Sequence, residues 1–413
     1  MRSIVWLLHM HSIVIVGAGQ AGLQTAESLR KAGFAGSLAI IDQTEDALFQ
    51  KPPLSKAYLA GDVPEERLRL RPTTFFQSHR IDAYFGVKVV AIQRQERCVQ
   101  LSDGATLAYD RLIMATGARA RSIDAFQDVT SQLHVIRDLS DAKRLRERLT
   151  SIDSVAVIGG GFLGLECAST LRKLGKSVIV IEQQSRLLAR VASPPISEFL
   201  HRTHVASGVE IRLQAVISTI ERVADTGRLR VVFEDHSACL VDECVVAIGV
   251  ITNSELAQTC GLMVDGGIVT DQNGQTSDPN IYAVGDVATF HHSHYQRRVR
   301  LESIDNAFEQ ARSLAKHLCA HETTHHKIPW FWSDQYEHKL LMAGLAAPTA
   351  HWVVRGDPHT GSFTVGAFEG DRLVAIECMN EPKQFAKFRK LMNNKDIISK
   401  SVFLNPDSDA DPT

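Results

Sequence analysis

Twice along this chain an apolar strand runs into a glycine-rich turn and opens a helix. In the first copy, Ile13 to Val16 precede Gly17-x-Gly19-x-x-Gly22, Ala26 and Leu29 recur at helical spacing, and Gly33 ends the helix. A second strand, SLAIID, then ends in Asp42. The mid-chain copy, SVAVIGGGFLGLECASTLRKLGKSVIVIEQ, repeats this order with Gly159, Gly161 and Gly164 and a strand ending in Glu182. In such a turn the first glycine makes the tight bend, the second admits a pyrophosphate to the backbone, and the third packs helix on strand. The helix N-terminus adds N–H groups and partial positive charge for phosphate. The acid at the end of the second strand is placed to accept from a ribose hydroxyl. One copy alone is a weak signal. Two complete copies, each strand–turn–helix–strand–acid, predict two dinucleotide sites.

Two dinucleotides on one chain point to electron exchange between FAD and a nicotinamide. Three further strands divide the chain between them. LIMATGAR closes on Ala115, Thr116 and Gly117, VVAIGV contains Ile248 and Gly249, and DPNIYAVGDVA ends in Gly285-Asp286. The Asp286 carboxylate is a candidate for the ribityl or pyrophosphate end of FAD. The expected fold is α/β: two Rossmann-like dinucleotide-binding domains, one inserted in the other, plus a C-terminal α/β domain. The FAD-binding domain would comprise residues 10–117 and 251–326, the NAD-binding domain 118–250, and the C-terminal interface domain 327–413. Glu182 favours NADH, since a carboxylate there accepts from the ribose 2′-hydroxyl and repels a 2′-phosphate. The nearest arginines, Arg186 and Arg190, come too late for a 2′-phosphate cluster.

At 413 residues and a net charge of −2, the chain shows no bulk attraction for nucleic acid or membrane, so neither is an expected partner. No apolar run reaches the roughly 20 residues of a membrane span. The N-terminal MRSIVWLLHMH leads directly into the first strand, which favours an upstream extension with Met10 as a start over a signal peptide. Seven scattered cysteines suit a reducing cytoplasm.

Four stretches carry a narrower resemblance: FQKPPLSKAYL (Phe49 to Leu59), GGGFLGLE, RLESIDNAFEQA (Arg300 to Ala311) and PWFWSDQYEHKLLMAG (Pro329 to Gly344). With them the chain resembles glutathione-reductase-like flavoproteins, and among these the NADH-dependent ferredoxin reductases of bacterial oxygenase systems. The resemblance spans nearly the whole chain; Lys51 stands where arginine is more usual. It implies an enzyme that passes electrons from NADH through non-covalent FAD to a 2Fe–2S ferredoxin, as a monomer or homodimer. It implies Lys56 close to the flavin ring and paired with Glu166, the cation favouring reduced flavin and the carboxylate orienting the nicotinamide carboxamide. It further implies cofactor contacts from Lys51, Pro53, Val89, Arg137, Ile304, Leu163, Ile248 and Gly249. Phe162 resembles an aromatic that covers the nicotinamide pocket, with core packing as the alternative. Trp330 and Trp332, on one face of a strand, resemble aromatics at the flavin and the docking rim. Open alternatives are a rubredoxin reductase, another NADH:acceptor oxidoreductase, or a redox-sensing flavoprotein of the apoptosis-inducing-factor type.

Other motifs lead elsewhere. HETTH (His321 to His325) has zinc-protease spacing, but two threonines and Pro329 argue against the stable helix that site needs, and no metal is expected. HHSH (His291 to His294) reads as an exposed loop. Cys239 and Cys244 have disulfide-reductase spacing but are expected to be structural, because the stretch Thr44 to Tyr58, where a redox pair belongs, contains no cysteine. For an acidic ferredoxin the candidate basic surfaces are QRRVR (Gln296 to Arg300) and the helix begun by Pro382. On that helix Lys383, Lys387 and Lys390 share one face, opposite a stripe of Phe385, Phe388 and Met392.

Overall fold

Strand Ser12–Val16 lies at the centre of a five-stranded parallel sheet in the computed structural model, which describes residues 10–45, 48–123, 126–321, 327–394 and 396–405. Its neighbours are Ser37–Asp42 on one side and Arg111–Met114 on the other, with Asp82–Phe85 and Ile281–Ala283 at the edges. Alternate residues of this strand enter different cores, as a sheet covered on both faces requires. Ile13 and Ile15 join Leu23, Ala26 and Leu29 of the helix Gln20–Lys31 and Ala307 and Leu314 of the helix Ile304–Leu318. Val14 and Val16 pack instead with Val89, Val99, Leu101 and Ile268. An antiparallel meander of Val89–Gln93, Cys98–Leu101 and Thr106–Ala108 covers that second face. These elements belong to the first of two compact units, built from residues 1–50, 68–119 and 251–327.

The second unit comprises residues 51–67, 120–250 and 328–413. It contains a second five-stranded parallel sheet, in the order Val209–Arg212, Ser177–Ile181, Ser154–Ile158, Glu243–Val246, Leu133–His134. The helix Phe162–Lys173 packs on it, and an antiparallel meander, Ile217–Arg222, Leu229–Phe233 and Ala238–Val241, contributes to its core. The C-terminal segment adds a five-stranded antiparallel sheet, in the order Trp330–Gln335, His338–Gly344, Arg372–Met379, Ser362–Glu369, His351–Asp357. Helix Pro382–Asn393 lies on this sheet through Phe385, Phe388 and Met392, all buried as the stripe predicts. Among the described residues no helix is long and apolar enough to cross a membrane.

Candidate functional site

The two glycine turns are near replicas in three dimensions. Gly17 and Gly159 adopt φ of +100° and +110°, a region that disfavours any side chain. A Cβ on Gly17 would strike the Ala115 carbonyl, and one on Gly159 the Ala247 carbonyl. A Cβ on Gly22 would strike the Gly17 carbonyl, just as one on Gly164 would strike that of Gly159. The middle glycines differ in kind. Gly19 (φ −69°, ψ −166°) and Gly161 (φ −82°, ψ −178°) have backbones that alanine adopts freely, and a Cβ on either meets no atom within 4 Å. Among the described residues nothing requires glycine there, and the space in front of each N-cap is open. Each turn thus fits a dinucleotide pyrophosphate at its helix N-terminus.

The two acids also match. Asp42 accepts from Ala18 N–H at 2.7 Å and Thr44 N–H at 2.9 Å. Glu182 accepts from Gly160 N–H at 2.8 Å and Gln184 N–H at 2.8 Å. Each carboxylate therefore holds its own glycine turn, and keeps lone pairs for a ribose. Arg186 is occupied with the carbonyl oxygens of Ala189 and Ala192.

A second polar centre is built on the helix of the mid-chain turn. Phe162 and Glu166 stand one turn apart on Phe162–Lys173. The strand Trp330–Gln335 runs beside that helix, and the two repeats are nearly commensurate. Four helical residues rise about 6 Å, two strand residues about 6.7 Å. Phe331 consequently meets Phe162 (ring centroids 4.8 Å apart), and Ser333 donates to Glu166 Oε1 at 2.7 Å. Tyr336 N–H donates to Ser169 Oγ at 2.7 Å further along. Glu166 Oε2 lies 2.5 Å from Lys56 Nζ and accepts from Ser55 Oγ at 3.0 Å. Thr170 Oγ1 donates to the Ser55 carbonyl at 2.8 Å, tying the short helix Pro52–Ser55 to the long one. The Lys56–Glu166 side chains are mostly buried, 22% and 8% exposed. Such a pair holds the carboxylate in one place.

The remaining predicted residues fall into two groups. In the first unit, Thr116 and Asn253 exchange hydrogen bonds at 2.7 and 2.8 Å, Gly117 takes φ +64°, and Gly285 N–H donates to Gln310 Oε1 at 2.7 Å. Asp286 lies in the short turn Gly285–Val287, Ile304 opens a helix capped by Ser303, and the Val89 side chain is buried in the core. In the second unit, Lys51 and Pro53 flank the start of the segment bearing Lys56. Arg137 N–H donates to Asp141, Leu163 follows Phe162 on its helix, and Ile248 and Gly249 (φ +100°) close a strand loop. Trp330 and Trp332 share one strand face with centroids 5.5 Å apart, and Arg389 lies over Trp330 at 5.0 Å.

Of the other sequence motifs, Cys244 is fully buried in its sheet and burial pushes its thiol, and that of Cys239, upward, away from nucleophilic use. HETTH lies beyond the described residues except for His321, whose Nε2 bonds the Ala32 carbonyl at 3.0 Å. The basic helix needs a correction. Lys383 and Lys390 are exposed, but the Lys387 ammonium is folded over the Phe388 ring at 5.5 Å and is buried. In the other patch, Arg298 pairs with Asp265 and Arg300 with Glu302.

Residues 11–311 match the family model for pyridine nucleotide-disulphide oxidoreductase, and residues 330–411 that for the reductase C-terminal region. The chain belongs to the pyridine nucleotide-disulphide oxidoreductase family. This oxidoreductase is 41% identical to rhodocoxin reductase of Rhodococcus erythropolis, over 97% of this chain and 92% of the relative. It is 39% identical to putidaredoxin reductase of Pseudomonas putida, over 93% and 92% of the respective chains. A crystal structure of the covalent putidaredoxin reductase–putidaredoxin complex superposes with a TM-score of 0.93 at 38% identity, covering 96% of each chain. Within this family member the sequence reading missed Ser55 and Ser333. Strand alternation held the clue for Ser333: with Trp330 and Trp332 on one face, Phe331 and Ser333 must share the other.

Proposed function

We propose that this oxidoreductase is an NADH-dependent ferredoxin reductase, carrying electrons from NADH through FAD to a ferredoxin of the 2Fe–2S type. The observation that carries the reading is the pair of glycine turns whose middle glycines face open space, one in each unit. The likeness to rhodocoxin and putidaredoxin reductases supports the acceptor. Bound FAD would supply the exchange between a two-electron nicotinamide donor and a one-electron acceptor. The chain's own residues do the rest. Gly17, Gly19, Gly22 and Asp42, with Asp286, would seat the flavin dinucleotide; Gly159, Gly161, Gly164 and Glu182 would seat NADH. Glu166, clamped by Ser55, Lys56 and Ser333, would orient the nicotinamide, and Lys56 would supply positive charge for the negative charge of reduced flavin. In this reading residues 10–117 and 251–326 serve the flavin, 118–250 the nicotinamide dinucleotide, and 327–413 the acceptor face.

The test is reduction of cytochrome c by NADH through added 2Fe–2S ferredoxins, with a rubredoxin run in parallel. Fast turnover dependent on a ferredoxin is expected. Turnover with rubredoxin alone would reassign the acceptor, and bleaching of the flavin by NADH with slow transfer to every protein acceptor would favour a redox sensor.

A further inference from the structure

Glu166 is the end of a buried hydrogen-bonded chain. Beyond Ser333 stands Gln335, whose Nε2 lies 3.2 Å from Ser333 Oγ. Its Oε1 lies 2.9 Å from His204 Nε2, and His204 Nδ1 lies 3.3 Å from the Tyr336 hydroxyl. Ser333 is 1% exposed, Gln335 2% and His204 0%, so the links from Ser333 to His204 are shielded from bulk water. The direction of every proton follows from one end. Glu166, paired with Lys56, is an acceptor only, so the Ser333 hydroxyl must donate to it. Ser333 Oγ must then accept, which turns the Gln335 amide NH2 toward it and the amide oxygen toward His204. That oxygen requires a donor, so His204 carries its proton on Nε2. Burial holds the His204 pKa below its usual value, leaving Nδ1 free of a proton to face Tyr336.

We infer that Gln335 and His204 are positioning residues for Glu166: they leave the Ser333 hydroxyl only one orientation, and so fix the carboxylate that lies beside Lys56. Neither residue would touch NADH; both act through Ser333. The inference rests on the NADH reading for its kinetic consequence, while the proton arrangement stands on the contacts alone. Without Gln335 the Ser333 oxygen loses the donor that holds it, so its bond to Glu166 Oε1 is less firmly placed, while those on Oε2 are kept.

Two measurements on the flavin-loaded protein test this. Nitrogen-15 NMR of labelled histidine should show His204 neutral and protonated on Nε2 at neutral pH. A bare Nε2, with the proton on Nδ1 alone, overturns the chain whatever the activity. Stopped-flow reduction by NADH should show Ser333→Ala lowering the limiting rate roughly ten- to hundredfold, the worth of one hydrogen bond to a charged group, and Gln335→Met lowering it by a smaller factor, roughly three- to tenfold, the worth of a neutral hydrogen bond. The NADH dissociation constant should stay within about threefold, because the loss falls on orientation and not on dinucleotide binding. In the Ser333→Ala background, Gln335→Met should cost nothing more, since its effect passes through the missing hydroxyl. Additive losses, or unchanged rates in both single variants, overturn the positioning role. If Gln335→Met fails to fold, the NMR assignment, which needs no variant, still decides the chain. An unaltered protein that NADH does not reduce would refute the reductase reading and leave the NMR result standing.

Discussion

Gly161→Ala isolates ligand binding from folding. The residue's φ of −82° and ψ of −178° are open to alanine, and the new methyl meets no protein atom within 4 Å. Alanine is a poorer N-cap than glycine but leaves the unfolded chain less entropy to lose, and these opposing effects are each about 1 kcal/mol or less. The melting temperature and bound flavin should therefore be nearly unchanged. The methyl does occupy the space in front of the N-terminal N–H groups of Phe162–Lys173, where a pyrophosphate would sit. Loss of one or two charge-assisted hydrogen bonds, at about 1.5–3 kcal/mol each, would weaken NADH binding by roughly tenfold to ten-thousandfold. Anaerobic titration with a non-reducing analogue such as NAD+ reads the dissociation constant directly, with Gly164→Ala as the contrast. There the methyl would strike the Gly159 carbonyl, and the protein itself should be destabilised. An analogue affinity within about threefold of the unaltered protein would refute the assignment of this turn to the pyrophosphate.

Four other outcomes are expected. Steady-state kinetics should favour NADH over NADPH by about 2–4 kcal/mol in kcat/KM, and Glu182→Ala should narrow that gap. Lys56→Met, which leaves Glu166 buried without its cation, should slow flavin reduction by about tenfold or more while flavin stays bound. Charge reversal at Lys383 and Lys390 should raise the apparent ferredoxin KM and flatten its salt dependence, with ferricyanide reduction little changed. The buried Glu377, which receives Ser193 N–H on both oxygens at 3.0 Å, has its carboxyl pushed by burial up to about 7, against 4.5 unperturbed. The folded state then holds this proton more tightly than the unfolded one, so stability declines as pH rises from about 4.5 to 7 and levels off above. Glu377→Gln should raise the melting temperature at pH 8, by up to about 3 kcal/mol of stability, and the gain should vanish near pH 4; a pH-independent difference would exclude this origin.

Both glycine turns were legible in the sequence because each is a local device: strand, bend, helix and acid follow one another within about 30 residues. The Lys56–Glu166 pair was legible only through resemblance, since 110 residues separate its members. Ser333 and Gln335 escaped although the strand was recognised. Alternation gave their face, but only tertiary packing could reveal that the face lies along Phe162–Lys173. The apolar stripe of the helix Pro382–Asn393 followed from spacing, whereas the fate of Lys387 did not. Helical periodicity places a Cβ, and a long flexible stem then decides where the ammonium goes. The segment 51–67 is continuous in sequence with the first unit yet packs into the second, a choice made by Ser55 and Lys56 contacting a distant helix.

The matched pitch of Phe162–Lys173 and Trp330–Gln335 has a practical corollary for chimaeras. Exchanging the C-terminal segment between relatives to change the electron acceptor would look like a clean module swap. Here the graft would also replace Phe331, Ser333 and Tyr336, which interlock with Phe162, Glu166 and Ser169. If the C-terminal segment sets the acceptor and this helix orients the nicotinamide, as proposed, such a swap would disturb both at once, and a splice point after Tyr336 would keep the first strand of that sheet with its native helix.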